Sequence, residues 1–406
     1  MPSRREFLAT TLKATAVAGF PAIIQSPSSR PALPQGVASG DVTSGRAVIW
    51  SRADRAARMF VEYSTTERFD NPRRVPGPAA LETSDFTART VLPDLPAGQR
   101  VFYRVLFQDL ADIRSWSEAV PGSFSTPPSA GRPRNVTIAW SGDTVGQGWG
   151  LNPDWGGLRL YETMRGAQPD VFVHCGDTIY ADQPLVAEVK RDDGTIWKNV
   201  VTEAKPKVAE TLQEFRANYQ YNLLDEHMRR FNAEVPQIVM WDDHEVRDNW
   251  DWERDLTGDA RYQVKSAALL AARARRAFLE YQPIAVSADD PDRIHRAIPY
   301  GPNVEIFALD LRSYRGANSE NRQTTLDGSS ALFGASQLET LKTRLAASRA
   351  TWKVIASDMP IGVVVRDLPS FYEAVANGEP GAPLGRELEI ASLLRFIRDR
   401  KIRNTV

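Results

Sequence analysis

The chain has 406 residues, more than one hydrophobic core usually organises, which points to two domains. Its 50 basic and 51 acidic residues nearly cancel, so no basic excess marks a nucleic-acid-binding module, and no stretch of the mature part is long and apolar enough to span a membrane. A single cysteine, Cys175, excludes an intrachain disulfide and thiolate-rich zinc or iron–sulfur sites; with only four histidines, bound metal must rely mostly on oxygen ligands, which suits hard ions.

The first 30 residues read as a signal peptide and linker. Arg4 and Arg5 precede Glu6, Phe7 and Leu8, and a weakly apolar stretch interrupted by Lys13 follows as far as Ile24. This resembles the twin-arginine export pattern, which implies the twin-arginine translocation machinery as a partner and a periplasmic or secreted protein. That route carries folded proteins and so suits an enzyme that takes its metal before export. After the linker QSPSSRPALPQG, residues 31–127 alternate apolar and polar residues in RAVIWSRA, MFVEYSTT, ARTVLPDL and RVFYRVLFQDL, separated by turn signals. Strands at this spacing without helices predict a small β-sandwich, and LPAGQRVFYRV resembles the end of a fibronectin type III module.

A second linker, STPPSAGRPR, leads into residues 134–406, where the texture changes. Strands VTIAW, VFVHC, VPQIVMW, VEIFALDL and WKVIASD alternate with helices near LRLYETMRGA, over about 208–232 and 261–281, in ASQLETLKTRLAAS and in RELEIASLLRFIRDR. Such alternation predicts a layered α/β domain with helices outside a buried sheet.

Acidic residues follow three of these strands. Asp143 comes after the first; Asp177, Tyr180 and Asp182 come after the second; MWDDHEVRDNW, with four carboxylates and His244, comes after VPQIV. Parallel strands of a layered domain deliver their carboxyl ends to one edge, so the loops should converge. Carboxylates gathered in this way repel one another unless cations neutralise them, which predicts a multinuclear metal site.

GD with a tyrosine three residues after the Asp, together with WDDHE and a following NW, resembles the PhoD-like alkaline phosphatases, members of the calcineurin-like metallophosphoesterases. GVASGDVTSGRAVIWSR is similar to that family's amino-terminal β domain, and LDLRSYR and ASQLETLKTRLAASRATWKVIASDMP to its later catalytic segments. The resemblance implies an α/β/β/α metallophosphoesterase sandwich behind a fibronectin-III-like β-sandwich, with Ca2+ and Fe3+ as cofactors. It implies attack by a metal-activated oxygen nucleophile on phosphomonoesters or phosphodiesters. On this pattern Asp177 is a bridging metal ligand, Asp243 a metal ligand, and Tyr180 a ligand of ferric iron. His244 corresponds to the histidine that touches phosphate and protonates the leaving oxygen. Asp248 and Asn249 are ligands or lie just behind them, Asn249 being also a candidate substrate contact. Arg312 and Arg315 either bind phosphate oxygens bidentately or pair with acidic neighbours.

Two features depart from the family pattern. SGD stands where family members carry an SCQ-like motif with a cysteine ligand, so Asp143, one place further on, is the expected replacement and iron is a less natural guest than calcium. Cys175 precedes Asp177 by two residues and reads as a small buried thiol near the site; His174 reads as a wall residue. Secondly, KIRNTV looks like the start of a strand, and the GD-x-H-like motif that the resemblance places after it is absent, as in a truncated chain or fragment. Two other readings remain open: a phosphodiesterase or phospholipase D-like enzyme on a polymer or lipid, and a phosphate- or metal-binding protein without turnover.

Overall fold

The computed structural model describes residues 30–406, so the twin-arginine segment lies outside the described residues. The described chain opens with strands β1 (Val37–Gly40), β2 (Ala47–Arg52), β3 (Ala57–Ser64), β4 (Arg73–Ala80), β5 (Thr87–Leu92), β6 (Arg100–Asp109) and β7 (Val120–Ser125). The alternation in RVFYRVLFQD is what makes β6: Val101, Tyr103, Val105 and Phe107 are buried, while the residues between them are only half covered. Strands β4-β3-β6-β7 form one antiparallel sheet. Its inner face packs on β5-β2-β1 through Ile49, Met59, Val61, Phe107 and Phe124. Each such side chain contributes about 1.5–3 kcal/mol by leaving water.

The second region supplies β8 (Ile138–Ser141), β9 (Val171–Cys175), the hairpin β10 (Glu188–Lys190) and β11 (Ile196–Lys198), β12 (Gln237–Met240), β13 (Arg296–Tyr300), β14 (Val304–Ala308), β15 (Trp352–Ala356), β16 (Arg366–Leu368) and β17 (Phe371–Tyr372). Strands β8, β9 and β12 are parallel, and β12 is buried along its whole length, as an apolar run without alternation requires. The sheet β13-β14-β15 stacks against them across Val171, Val173, Met240, Ile298, Val304 and Ile306. Helices Leu212–Asn222 and Ala267–Tyr281 belong to the core on the first sheet's side; helices Ala335–Ala347 and Glu387–Asp399 cover the second sheet. The result is the layered α/β/β/α arrangement with a β-sandwich ahead of it.

The two regions share a sheet, because β1 pairs in parallel with β12 at Gly40 and Gln237. Only glycine fits at position 40: a Cβ there would lie 2.2 Å from the Pro283 carbonyl oxygen and 2.8 Å from that of Gln237. The seam is further held by Asp41, which takes a two-pronged ion pair from Arg296 at 2.7–3.0 Å.

Some predicted elements differ. The helix expected over 208–232 is two helices, Leu212–Asn222 and Glu226–Glu234, because Asp225 caps the second by accepting from the Met228 amide at 2.9 Å. The helix expected from 261 begins at Ala267, behind the cap of Ser266. Strand β13 was not predicted; its Pro299 sits on an edge strand, where a missing amide costs little. Residues of KIRNTV enter the sheet beside β15, with the Val406 amide donating to the Lys353 carbonyl at 2.9 Å. Among the described residues, no helix is long and apolar enough to cross a membrane.

Candidate active site

The loops that follow β8, β9 and β12 meet at the carboxyl edge of the first sheet. Two of them leave their strands through a left-handed residue, Asp143 at φ 59° and Asp177 at φ 54°. That conformation costs a non-glycine residue on the order of 1 kcal/mol or more, and Asp tolerates it better than most. Gly176, at φ 101°, brings the β9 loop against the β12 loop so closely that a Cβ would lie 2.4 Å from Cβ of Asp242.

Glu245 fastens these loops. Fully enclosed at 0% exposure, its carboxylate accepts from the backbone amides of Asp177 (3.2 Å), Thr178 (2.5 Å) and Asp242 (2.8 Å), and from the Thr178 hydroxyl (2.7 Å). Burial raises its pKa and these bonds oppose the rise. On the other side, Thr144 lies between the Tyr161 hydroxyl at 2.8 Å and His174 Nε2 at 2.7 Å. His174 is therefore a buried wall residue, its pKa lowered to about 4 by burial, that steadies the residue after Asp143.

The structure brings Asp177, Asp243 and His244 together: one ligand atom of each lies within 4.8 Å of the others, and all three residues are buried. Tyr180 stacks on the His244 ring at 4.2 Å between centroids and donates its hydroxyl to Asp143 Oδ1 at 2.6 Å. Burial and then the Asp177 charge push the Tyr180 phenol well above its usual range. Asp177 is pushed up to about 12, first by burial, then by Asp243, Asp242 and Glu245. At Asp243 burial works against ionisation, but Arg312 and His244 more than offset it and hold the carboxyl below its usual range. His244 donates from Nδ1 to Asp182 Oδ1 at 2.8 Å, and Asp182 Oδ2 accepts from the Asp248 amide at 2.9 Å. Burial alone would lower the His244 pKa; the Asp182 bond and the Asp243 charge carry it to about 9.

The other expected residues lie further back. The Asn249 amide donates to Asp243 Oδ2 at 2.7 Å, so its backbone supports the cluster, and Asp248 stands exposed at the rim. Arg312 is enclosed and bonds Asp242 at 2.6 Å, with Asp243 at 3.6 Å and Glu373 also in contact. Arg315 is not brought to the cluster: its guanidinium goes to Glu373 at 3.0 Å and to Asn318. Both arginines thus sit among acidic or amide partners. Cys175 faces the layer between the sheets, its thiol pushed up to about 11 by burial and by Asp358 and Asp242.

Some roles were not legible in the sequence. Asp182 was named after the second strand and Glu245 lay in the quoted motif, but nothing local shows which carboxylate holds backbone and which holds His244. Asp358 follows β15 as the other acids follow their strands; its carboxyl accepts from the Leu311 amide at 3.1 Å and is raised to about 7 by burial. The end of the run WKVIASD was its signal.

Two stacked sheets between helices, with a carboxylate and histidine cluster at the strand ends, make a layered α/β/β/α domain with a candidate metal site at one sheet edge. Residues 138–406 match the family described as PhoD-like phosphatase, and residues 16–128 the one described as PhoD-like phosphatase, N-terminal domain. The chain belongs to the PhoD-like phosphatases. It is 24% identical over 400 residues to alkaline phosphatase D of Bacillus subtilis (strain 168), covering 91% of this chain. It spans about 62% of the length of that curated relative. The solved structure of PhoD superposes with a TM-score of 0.73 at 22% identity, over 94% of this chain and 72% of the other. A purple acid phosphatase from yellow lupin (Lupinus luteus) seeds superposes at 0.55 and 13% identity, over 92% and 57%. These two likenesses speak for the fold.

Proposed function

We propose that the chain is an exported, metal-dependent phosphoesterase acting on phosphomonoesters, phosphodiesters or both. The observation that carries this reading is the buried group of Asp177, Asp243 and His244, with the Asp143–Tyr180 pair beside it. The donor set fits hard cations: Asp177 is crowded by like charges, and a cation relieves that crowding. Asp143, Asp177, Tyr180 and Asp243 would hold the metal, with Ca2+ and Fe3+ the ions the family resemblance favours and the phenol of Tyr180 the donor suited to ferric iron. Bound there, such ions supply positive charge to the phosphoryl oxygens and acidify the attacking oxygen.

The chain's own groups do the rest. Asp182 engages His244 Nδ1 and fixes the ring, so Nε2 is the nitrogen that delivers a proton to the leaving oxygen. Arg312 pairs with Asp242 at 2.6 Å and reaches Asp243 at 3.6 Å, so it steadies both acids of the β12 loop. The Tyr180 ring covers one face of the imidazole and keeps water from it.

The deciding experiment is metal analysis of the purified protein together with turnover of p-nitrophenyl phosphate and bis-p-nitrophenyl phosphate. Chelation should abolish turnover and added metal restore it; full activity in metal-free protein overturns the reading. A Tyr180 phenolate on Fe3+ absorbs visible light, so Tyr180→Phe should bleach a coloured preparation without unfolding it. Export rests on Arg4 and Arg5. Arg4→Lys with Arg5→Lys should hold the protein inside the cell, and undiminished export of that variant would sink the twin-arginine assignment.

A further inference from the structure

The loop after Asp143 and the hairpin after Tyr180 carry an aromatic corner that the chemistry above does not use. Trp149, Trp155 and Trp197 meet edge to face and tilted, with ring centroids 5.8 Å and 5.3 Å apart. The Arg191 guanidinium lies over the Trp155 ring at 4.7 Å. These indoles are not core: Trp149 is 38% and Trp155 46% exposed, and Val186 and Ile196 beside them are also open to solvent. Trp149 on a loop and Trp155 on a 3-10 turn (Pro153–Trp155) are left open to solvent around the half-buried Trp197 of a short hairpin, and such a patch asks for a partner.

The corner is fastened to both site loops. Gly146 lies against the Tyr180 ring, where a Cβ would come to 2.4 Å, and the Trp149 amide donates to the Gly146 carbonyl at 3.1 Å. The Asn199 side chain then ties the pieces together. Its Oδ1 accepts from the Gly150 amide (2.7 Å) and from Trp197 Nε1 (2.9 Å); its Nδ2 donates to the carbonyls of Gly148 (3.0 Å) and Val186 (2.8 Å). Gly148 and Gly150 belong to the loop of Asp143, and Val186 follows the loop of Tyr180 and Asp182. The indoles are thus held by the same loops that carry Asp143 and Tyr180.

We infer that this corner is the leaving-group subsite, and that it takes a planar ring, of the nucleobase or aryl kind, carried by the phosphoester. The inference rests on the phosphoesterase reading for its role in turnover. Exposed indole faces capped by a guanidinium recognise flat π-systems, and stacking of one base on such a face is worth about tenfold or more in affinity.

The test compares adenosine 5′-monophosphate with ribose 5-phosphate, which carries the same phosphate without the base. Binding is read by quenching of tryptophan fluorescence and turnover by kcat/KM, on the full chain with its metal. The unaltered protein should prefer the adenine ester about tenfold or more by both readouts. Trp149→Ala and Trp155→Ala should bring that preference close to one, with melting temperatures confirming that each variant is folded. Trp352→Ala, at an exposed tryptophan on β15, should leave the preference intact. No preference in the unaltered protein, or one that survives both indole removals, overturns the subsite. Base-dependent binding that disappears in the variants while neither ester is turned over upholds the subsite and sinks the phosphoesterase reading.

Discussion

Replacing Asp182 by Asn tests whether His244 acts as a proton donor or merely as a wall of the site. Asp182 is 1% exposed, and both of its oxygens are engaged, Oδ1 by His244 Nδ1 at 2.8 Å and Oδ2 by the Asp248 amide at 2.9 Å. Asparagine keeps one acceptor and presents an amino group where the second stood, so the ring loses a charged partner or the Asp248 amide loses its acceptor. A hydrogen bond to a charged group contributes about 1.5–3 kcal/mol. Removing it from an imidazole that carries a proton in the transition state should slow the step roughly 10- to 150-fold. The loss should fall on alkyl esters, whose leaving oxygen needs the proton, and hardly touch p-nitrophenyl esters. His244→Ala should be worse, on the order of 10²–10⁴-fold on the same alkyl esters. The assay is kcat on a paired alkyl and nitrophenyl series for both single variants and the double variant. If Asp182 acts through His244, adding Asp182→Asn to His244→Ala costs little more. Equal losses on both ester types, or independent losses in the double variant, would falsify the proton-donor role and leave Asp182 a structural residue.

Other substitutions test the scaffold around that pair. Glu245→Gln keeps the shape but gives one acceptor to a place where four donors converge; it should cost about 2–4 kcal/mol of stability by urea unfolding, and no change in midpoint refutes the fastening role. Arg312→Met leaves Asp242 and Glu373 enclosed without their cation and should cost about 3–5 kcal/mol; a neutral effect would mean that water or another group compensates them. His174 has its pKa lowered from 6.5 to about 4, so the unfolded chain binds a proton at a pH where the folded chain does not. Stability from this group is complete above pH 6.5 and falls as the pH drops toward 4, by roughly 3 kcal/mol in full. His174→Gln should flatten that part of the stability–pH curve, and an unchanged curve contradicts the buried neutral histidine. Asp177→Asn should lower metal content in direct analysis as well as activity, since it removes the carboxylate most crowded by its neighbours; full metal occupancy in that variant contradicts its place as a ligand.

Much of the fold was legible because two periodicities dominate the chain. The alternation of β6 and the unbroken apolar run of β12 each follow from the number of faces the strand buries. What escaped was decided by single residues or by partners far away. Asp225 ends one helix and starts another within a polar stretch that reads as continuous. The hairpin β10–β11 consists of three-residue strands around Asp192, Asp193 and Gly194, too short to show a period, although the Asp-Gly pair is a turn signal. At the site, Asp143, Asp177 and Asp243 stood out because acids abruptly replace apolar residues at strand ends, and Tyr180 and His244 because the motifs around them resemble those of the family. The duties of Glu245, Asp182 and Asn199 did not, because each bonds groups that lie tens of residues away in the chain.

The division of labour among the acids supports the proposed place of a cation. Each enclosed carboxylate needs compensation: Asp182 has it from the His244 ring and Glu245 from three amides and a hydroxyl, while Asp242 pairs with Arg312 and is still held well above its usual range, first by burial and then by its acidic neighbours. Asp243 is served in part, with Arg312 at 3.6 Å and the Asn249 amide at 2.7 Å, and its pKa is lowered accordingly. Asp177 accepts from the His244 amide at 3.1 Å, and one neutral donor does not cancel a buried charge facing three acidic neighbours. Burial and these neighbours push its carboxyl up to about 12, and a cation there would relieve the crowding. Asp143, reached by the Tyr180 hydroxyl and open to solvent, offers further oxygen on the same side. Asp177 has one neutral donor where Glu245 has four, and this asymmetry, more than the number of acids, is why the proposed centre is put at Asp177 with Asp243 and Asp143 beside it.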